Sequence, residues 1–262
     1  MSPDRSDEEV FEAMLERTRR TVRAIADRVE DVEGGFVAST PSLPVAWTLN
    51  RLHLTRSASV EAATALADRY LSDRDFRHIV VEHDQRDRLS KAFADADWAV
   101  EREVHMVLGA APAPLADQDE IVELRNEECV ELTRMWIEED HPDLSAGGVG
   151  QLVEMTAREG RWWRERVFGI RAGGRAVSMT KLRTDDEVAW VEDVYTDPAA
   201  RRRGLARRLV THVTGLAAAS GRDFVYIIAD ASDWPQHLYG EIGFRPVGYL
   251  KAFHRSVPPA QA

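Results

Sequence analysis

Cysteine is almost missing from this chain: Cys129 is the single one among 262 residues. One thiol can neither close an intramolecular disulfide nor build a cysteine metal cluster, so the sequence reads as that of a protein from a reducing compartment, with the cytoplasm as its expected location. Long apolar runs are missing too. No stretch approaches the roughly 20 apolar residues that span a bilayer, and the acidic start MSPDRSDEEVFEAM has neither the charged nor the apolar region of a secretory signal. No membrane partner is expected. Positive charge is in deficit, with 34 Lys and Arg against 45 Asp and Glu and a formal net charge of -11. Duplex nucleic acid needs a broad basic surface, so it is excluded as a partner, and any phosphate must be held locally. The eight histidines are scattered without an HxH or HExxH pair, and no metal site is expected.

What is present organises into two halves. Residues Glu8 to Val32 place Val10, Phe11, Met14, Leu15, Val22, Ile25 and Val29 at mostly helical spacing, which predicts one amphipathic helix ending near Gly34 and Gly35. Strand-like pieces follow at Phe36–Ala38, Val45–Leu54 and Arg77–His83, with an alanine-rich helix between the last two, and VHMVL at Val104–Leu108 closes the half. GAAPAPLADQD reads as a linker, with the domain boundary near Ala113: residues 1–112 on one side and 113–262 on the other. The second half opens with a helical region from Ile121 and a second helix through Trp162 and Trp163. A hairpin turning at Gly173 and Gly174 comes next, then the strand VAWVEDVYT, a helix to Ala219, the strand DFVYIIAD, a short helix and a last strand near Val247–His254. This order implies an α/β fold of mixed, mostly antiparallel sheet with a crossover connection. RHIVVEHD at Arg77 resembles RDFVYIIA at Arg222, and FADADW at Phe93 resembles YGEIGF at Tyr239; two matches at nearly one offset suggest an internal duplication.

Between VAWVEDVYT and the next helix lies RRRGLA, and Arg201, Arg202, Arg203, Arg207 and Arg208 crowd around Gly204. A strand that feeds a helix through a glycine turn aims the helix's first amides, backed by the positive end of its dipole, at one point. Basic residues oppose that dipole, so five arginines at a helix start point to an anionic ligand. Leu205, Leu209, Val213 and Leu216 give the helix an apolar face for the sheet. The turn is not a P-loop, since no GxxxxGK[ST] is present.

Arg201-x-x-Gly204-x-Ala206 is similar to the Q/R-x-x-G-x-G/A acyl-CoA signature of the GNAT superfamily of N-acyltransferases, and TDP at Thr196–Pro198 and LYGEIGF at Leu238–Phe244 resemble that family's flanking pattern in order and spacing. The resemblance covers roughly Val167 to His254. It implies a GNAT fold of helices on a central sheet in two tandem copies, with acetyl-CoA as the acyl donor and cosubstrate. The donor's pyrophosphate would rest on Arg201, Arg202, Arg203, Gly204, Leu205, Ala206 and Arg207; its pantetheine and thioester would lie along Val194, Tyr195 and Thr196, with Asp233 counted in the same donor-binding set. It further implies Tyr239 as the acid that protonates the leaving thiolate and Glu192, or as second choice Asp193, as the base. Alternation along the strand places Trp190, Glu192, Val194 and Thr196 on one face and Val191, Asp193 and Tyr195 on the other. Asp233 can cap the short helix that carries Tyr239, with Pro235 in its first turn and Gly243 closing it.

The first half offers no such kit. It has no glycine from Val37 to Leu108, and Phe93 stands where the repeat places Tyr239, so it reads as a degenerate copy, expected to shape or cover the acceptor site. The expected activity is acetyl transfer from acetyl-CoA to a primary amine, on a small molecule or a protein amino group; a homodimer is compatible with it. Two other classes stand beside it: a non-catalytic acyl-CoA-binding regulatory module, and a nucleotide-binding protein that uses the arginine turn. Trp47, Trp136, Trp162 and Trp163 read mainly as core or interdomain residues, and the acidic segment Glu138–Gly148 as a solvated loop whose charge would suit a cationic amine.

Overall fold

The computed structural model describes residues 5–56, 58–82, 86–113 and 120–257; residues 114–119 of the expected linker lie outside them. The chain divides into two compact units. One comprises Phe11–Val104, Asp230–Ser232 and the residues from Tyr249 onward, the other the residues up to Val10, His105–Ala229 and Asp233–Gly248.

The chain begins with α1 (Asp7–Ile25), β1 (Arg28–Val32), β2 (Gly35–Ser39), β3 (Arg51–Leu54), α2 (Val60–Tyr70), β4 (Phe76–Val81), α3 (Arg86–Asp95) and β5 (Ala99–Leu108). Ser6 and Glu9 form a reciprocal capping box at the start of α1: the Glu9 amide donates to Ser6 Oγ at 3.2 Å and the Ser6 amide to the Glu9 carboxylate at 2.7 Å. The helix stops at Ile25, and Arg28–Val32 is not its last turn but an edge strand, antiparallel to β2. Gly34, at φ +83°, makes the hairpin that recruits this polar segment. The first unit's strands run in the order β1-β2-β3-β4-β11, where β11 is the chain's last strand, Phe244–Ser256. β2 and β3 are antiparallel, β3 and β4 are parallel across α2, and Lys251–Ser256 pairs antiparallel with β4. Its core gathers Leu52, Leu54, Ala63, Ala67, Ile79, Val81, Phe93 and Phe253. Phe93 stacks on Phe253 at 4.1 Å.

The second half continues with β6 (Ile121–Glu123), α4 (Asn126–Asp140), α5 (Ala146–Trp162), β7 (Arg164–Ala172), β8 (Arg175–Thr184), β9 (Val188–Thr196), a 3-10 turn (Pro198–Ala200), α6 (Leu205–Ala218), β10 (Phe224–Asp230) and α7 (Pro235–Ile242) before β11. Ile121–Glu123, expected as helix, is a short strand on the edge of β7. The order here is β10-β9-β8-β7-β6, antiparallel except for the parallel β9–β10 pair spanned by α6. Leu205, Leu209, Val210 and Val213 of α6 are buried, as its apolar face requires. Leu216 is the exception: it is exposed.

Both units therefore carry the same motif, an antiparallel pair followed by a helix and a parallel strand. The likeness extends to a detail of the backbone. Asp97 after α3 and Gly243 after α7 both adopt left-handed angles, φ 59° and 119°, where each helix turns into its next strand. Among the described residues no helix is long and apolar enough to cross a membrane, and no group of three or more His, Cys, Asp and Glu is placed to hold a metal ion.

Candidate active site

The site starts with a defect in a hairpin. Met179 pairs with Tyr195 and Lys181 with Glu192, so Thr180 opposes two residues, Asp193 and Val194, and Asp193 takes up the extra length at φ 49°. This bulge corrects the simple alternation expected along β9. Directly paired residues point to one face, so Glu192 shares a face with Lys181, Met179 and Tyr195 rather than with Val194 and Thr196.

On its other edge β9 pairs with β10 only from Val188 to Val191, although β9 continues to Thr196 and β10 to Asp230. The two strands part there, which frees one edge of Glu192–Thr196 from the ladder. Ser178 pins the opposite edge, donating to the Tyr195 carbonyl at 3.0 Å and meeting Thr196 Oγ1 at 2.7 Å.

Past the strand, Asp197 accepts the Ala199 amide at 2.9 Å and pairs with Arg175, which fixes the 3-10 turn. Arg202 and Gly204 are both left-handed, at φ 62° and 72°, and α6 begins at Leu205. The first turn-closing bond runs from the Arg208 amide to the Gly204 carbonyl at 3.1 Å, so the amides of Leu205–Arg207 precede the helix ladder. A Cβ on Gly204 would meet nothing within 4 Å: the space before these amides is open. The first unit shows the contrast. At the end of β3 the amides of Thr55 and Arg56 both donate to the Gly34 carbonyl, at 2.9 and 3.0 Å, and its turn is closed by its own backbone.

A cavity of about 660 Å³ lies over the open turn. Val194, Tyr195, Thr196, Arg201, Arg202, Gly204, Leu205, Ala206, Arg207, Asp233 and Tyr239 all line it, which brings together eleven of the residues expected from the sequence. Arg203 is exposed and outside the lining, and Glu192 and Asp193 are not part of the wall either. The arginines are less free than a bare anion cradle would need: Arg201 meets Glu139 at 2.6 Å, Arg208 meets Glu120 at 3.1 Å, and Arg207 pairs with Glu241. Carboxylates thus relieve part of the conflict at the helix start.

Tyr239 is buried on α7, and burial, then the carboxylates of Glu192 and Asp233, push its phenol above the usual tyrosine range. Asp233 does not cap α7 as expected. Trp234 occupies the cap position, and the Asp233 carboxylate takes the Trp234 amide at 2.7 Å. Gly243 ends the helix in a left-handed conformation, as its sequence requires.

Glu192 is half-buried, with Oε2 enclosed and without a hydrogen-bond partner. Burial and the adjacent Asp193 charge raise its carboxyl well above the usual range against the pull of Arg183 and Lys181. Asp193 goes the other way. Burial would raise it, but Lys181 at 2.6 Å and Arg183 hold it below the usual range.

Lys181 and Arg183 were not expected at the site, although in RAVSMTKLR they share the parity of the buried Met179. Nor was Glu139 singled out: it lies in the last turn of α4 rather than in a loop, and with Trp136 and Asp140 it lines the cavity. Of the other tryptophans, Trp163 is buried with its ring edge-on to Trp190, and Trp162 is exposed.

The model of the acetyltransferase (GNAT) family matches residues 121–244. The match covers 124 of the 262 residues. The matched segment includes the bulge, the glycine turn, Tyr239 and the cavity between them. Solved structures share the fold over a longer stretch. A functionally unknown conserved protein from Staphylococcus epidermidis superposes with a TM-score of 0.69 at 7% identity over 89% of this chain and 95% of its own. A GCN5-related N-acetyltransferase from Kribbella flavida does so with 0.59 at 14% over 94% and 95%, and one from Sphaerobacter thermophilus with 0.55 at 14% over 76% and 68%. No curated protein matches the sequence. The GNAT fold therefore holds for nearly the whole chain, while the family's signature residues fall in the second half.

Proposed function

We propose that this protein is an N-acetyltransferase that moves an acetyl group from acetyl-CoA to a primary amine. The observation that carries the reading is the single cavity that joins the open turn at Gly204, the freed edge of β9 and Tyr239. The residues fit the donor. Amides of Leu205–Arg207 and the side chains of Arg202 and Arg207 offer an anion site at a helix start, and Val194–Thr196 offer the strand edge that β10 leaves to an extended thioester arm.

Acyl transfer to an amine needs a neutral nucleophile, a stabilised oxyanion and a proton for the leaving thiolate. Ionised Glu192, which does not line the cavity, takes through water the proton that the neutral amine sheds as it attacks. The nitrogen bonds to the thioester carbon, the C–S bond breaks, and Tyr239 gives its proton to the sulfur. An amide and free CoA leave; the Glu192 proton passes to solvent as Tyr239 is reprotonated. The acceptor is a small-molecule amine or a protein amino group. A non-catalytic acyl-CoA-binding module would keep the cavity without needing Glu192 beside it.

Calorimetry with acetyl-CoA tests the donor site. The wild type is expected to bind near the micromolar range, and Gly204→Glu, which puts a carboxylate into the cradle and a side chain at φ +72°, is expected to lose binding. Absence of binding to the folded wild type would remove the donor and the activity with it.

A further inference from the structure

Beneath the cavity the second unit buries more charge than a structural sheet needs. Lys181 and Arg183, on β8, are 2% and 1% exposed in their side chains. Around them stand four carboxylates: Asp193 and Glu192 on β9, Glu159 on α5 and Glu165 on β7. Lys181 Nζ lies 2.6 Å from Asp193 Oδ2; Arg183 lies 2.8 Å from Glu165, 3.2 Å from Glu159 and 3.8 Å from Asp193. Two cations face four acids. Each buried cation is committed to other carboxylates, and among the described residues no cation pairs directly with Glu192.

Buried ion pairs of this kind contribute little net stability, because desolvation offsets their attraction. Asp193 also occupies a left-handed conformation that an ordinary side chain avoids. The strained residue and its counterion lie beside the carboxyl that the transfer reaction would use, since Asp193 follows Glu192 directly in β9.

We propose that Lys181 is a positioning residue for the transfer reaction: by holding the Asp193 carboxylate across the bulge, it sets Glu192 as the carboxyl of the pair that carries and exchanges the proton. The inference rests on the acetyltransferase reading and on Glu192 as its base. Lys181 and Arg183 favour the ionised form of Asp193, while burial and that charge favour the protonated form of Glu192; the base-competent state has both ionised and is stabilised by Lys181. The two carboxyls titrate as a unit, and the upper midpoint belongs to the pair. Other groups facing Glu192 are Arg183, Glu159 and Tyr239; Glu165 and Cys129 face Lys181 from β7 and α4.

The test is a pH titration of the full chain by infrared difference spectroscopy, which reads the protonated-carboxyl band without acceptor or donor. Glu192→Gln assigns the band. Lys181→Met removes the cation that favours the doubly ionised pair, so the midpoint is expected to rise by about 1 to 3 pH units. Asp193→Asn removes the anion and leaves the cation, so the midpoint is expected to fall below the wild type. Lys181→Arg should keep it near the wild type. A Lys181→Met midpoint equal to the wild type, an Asp193→Asn midpoint that does not fall, or a neutral-pH band that Glu192→Gln leaves in place would overturn the proposal; should Lys181→Met not fold, Asp193→Asn decides. The reaction itself is read separately. Turnover of acetyl-CoA with a primary amine that survives Glu192→Gln rejects Glu192 as base, whatever the midpoints show.

Discussion

Tyr239 is buried against the cavity, and its raised pKa means that the phenol keeps its proton across the neutral range. It can therefore give a proton to a departing thiolate but cannot serve as a base there. Tyr239→Phe removes one hydroxyl and keeps the ring that meets Phe244 edge-on at 6.5 Å. Turnover of acetyl-CoA is expected to fall about 100-fold, in the range of one lost proton transfer, while the affinity measured by calorimetry stays within about twofold. A comparable loss of affinity would make Tyr239 a binding residue instead. Residues of this kind were legible because their motif is linear: Arg201–Ala206 and Leu238–Phe244 carry their spacing in the sequence. Lys181 and Glu139 were not, because each acquires its role only when a second element meets it, Asp193 across the bulge for one and Arg201 beyond α4 for the other.

At the scale of elements, the strongly periodic helices and the Gly173–Gly174 hairpin were readable, and the failures share a cause. Arg28–Val32 is polar, exposed and on an edge, so it carries no apolar alternation; its charges continued the pattern of α1 and hid a strand made by its turn. The short α3 was missed for a similar reason, with few apolar residues to mark a period. The bulge was invisible because Asp193, not glycine, occupies its left-handed position. Where glycine does decide an element, the consequence is testable. A Cβ at Gly35 would stand 1.7 Å from the His53 carbonyl oxygen, a backbone atom in the partner strand β3. β2 cannot keep its register with that atom in place. Gly35→Ala is expected to cost at least about 2 kcal/mol, read as a lower urea midpoint, whereas Gly150→Ala, where a Cβ meets nothing within 4 Å, should leave the midpoint at or above the wild type.

At the scale of the whole molecule, the chain returns to its beginning: Lys251–Ser256 pairs with β4, and His254 lies opposite His78. No local pattern could announce that pairing, because it joins residues 170 to 180 positions apart. The unit it closes has an acid weakness. His53 and His78 are both buried; burial first, then neighbouring arginines, chiefly Arg51, hold His53 well below the usual histidine range and His78 at about 3. His78 Nδ1 lies 3.2 Å from the Trp47 carbonyl, and its enclosed Nε2 has no partner, so no acceptor waits for a second proton. The unfolded chain takes protons on both rings as pH falls through about 6.5, and the folded chain does not. Stability present above about 6.5 is therefore lost as pH falls toward 3, by up to about 1.4 kcal/mol per pH unit for each ring. Glu82, raised chiefly by burial, acts oppositely, binding its proton more tightly when folded and offsetting part of the loss at lower pH. Urea unfolding at pH 7 and pH 5.5 should thus show a clear drop, and His78→Gln should make that drop smaller by the share of one ring. An equal drop in the variant would mean that His78 is protonated in the fold.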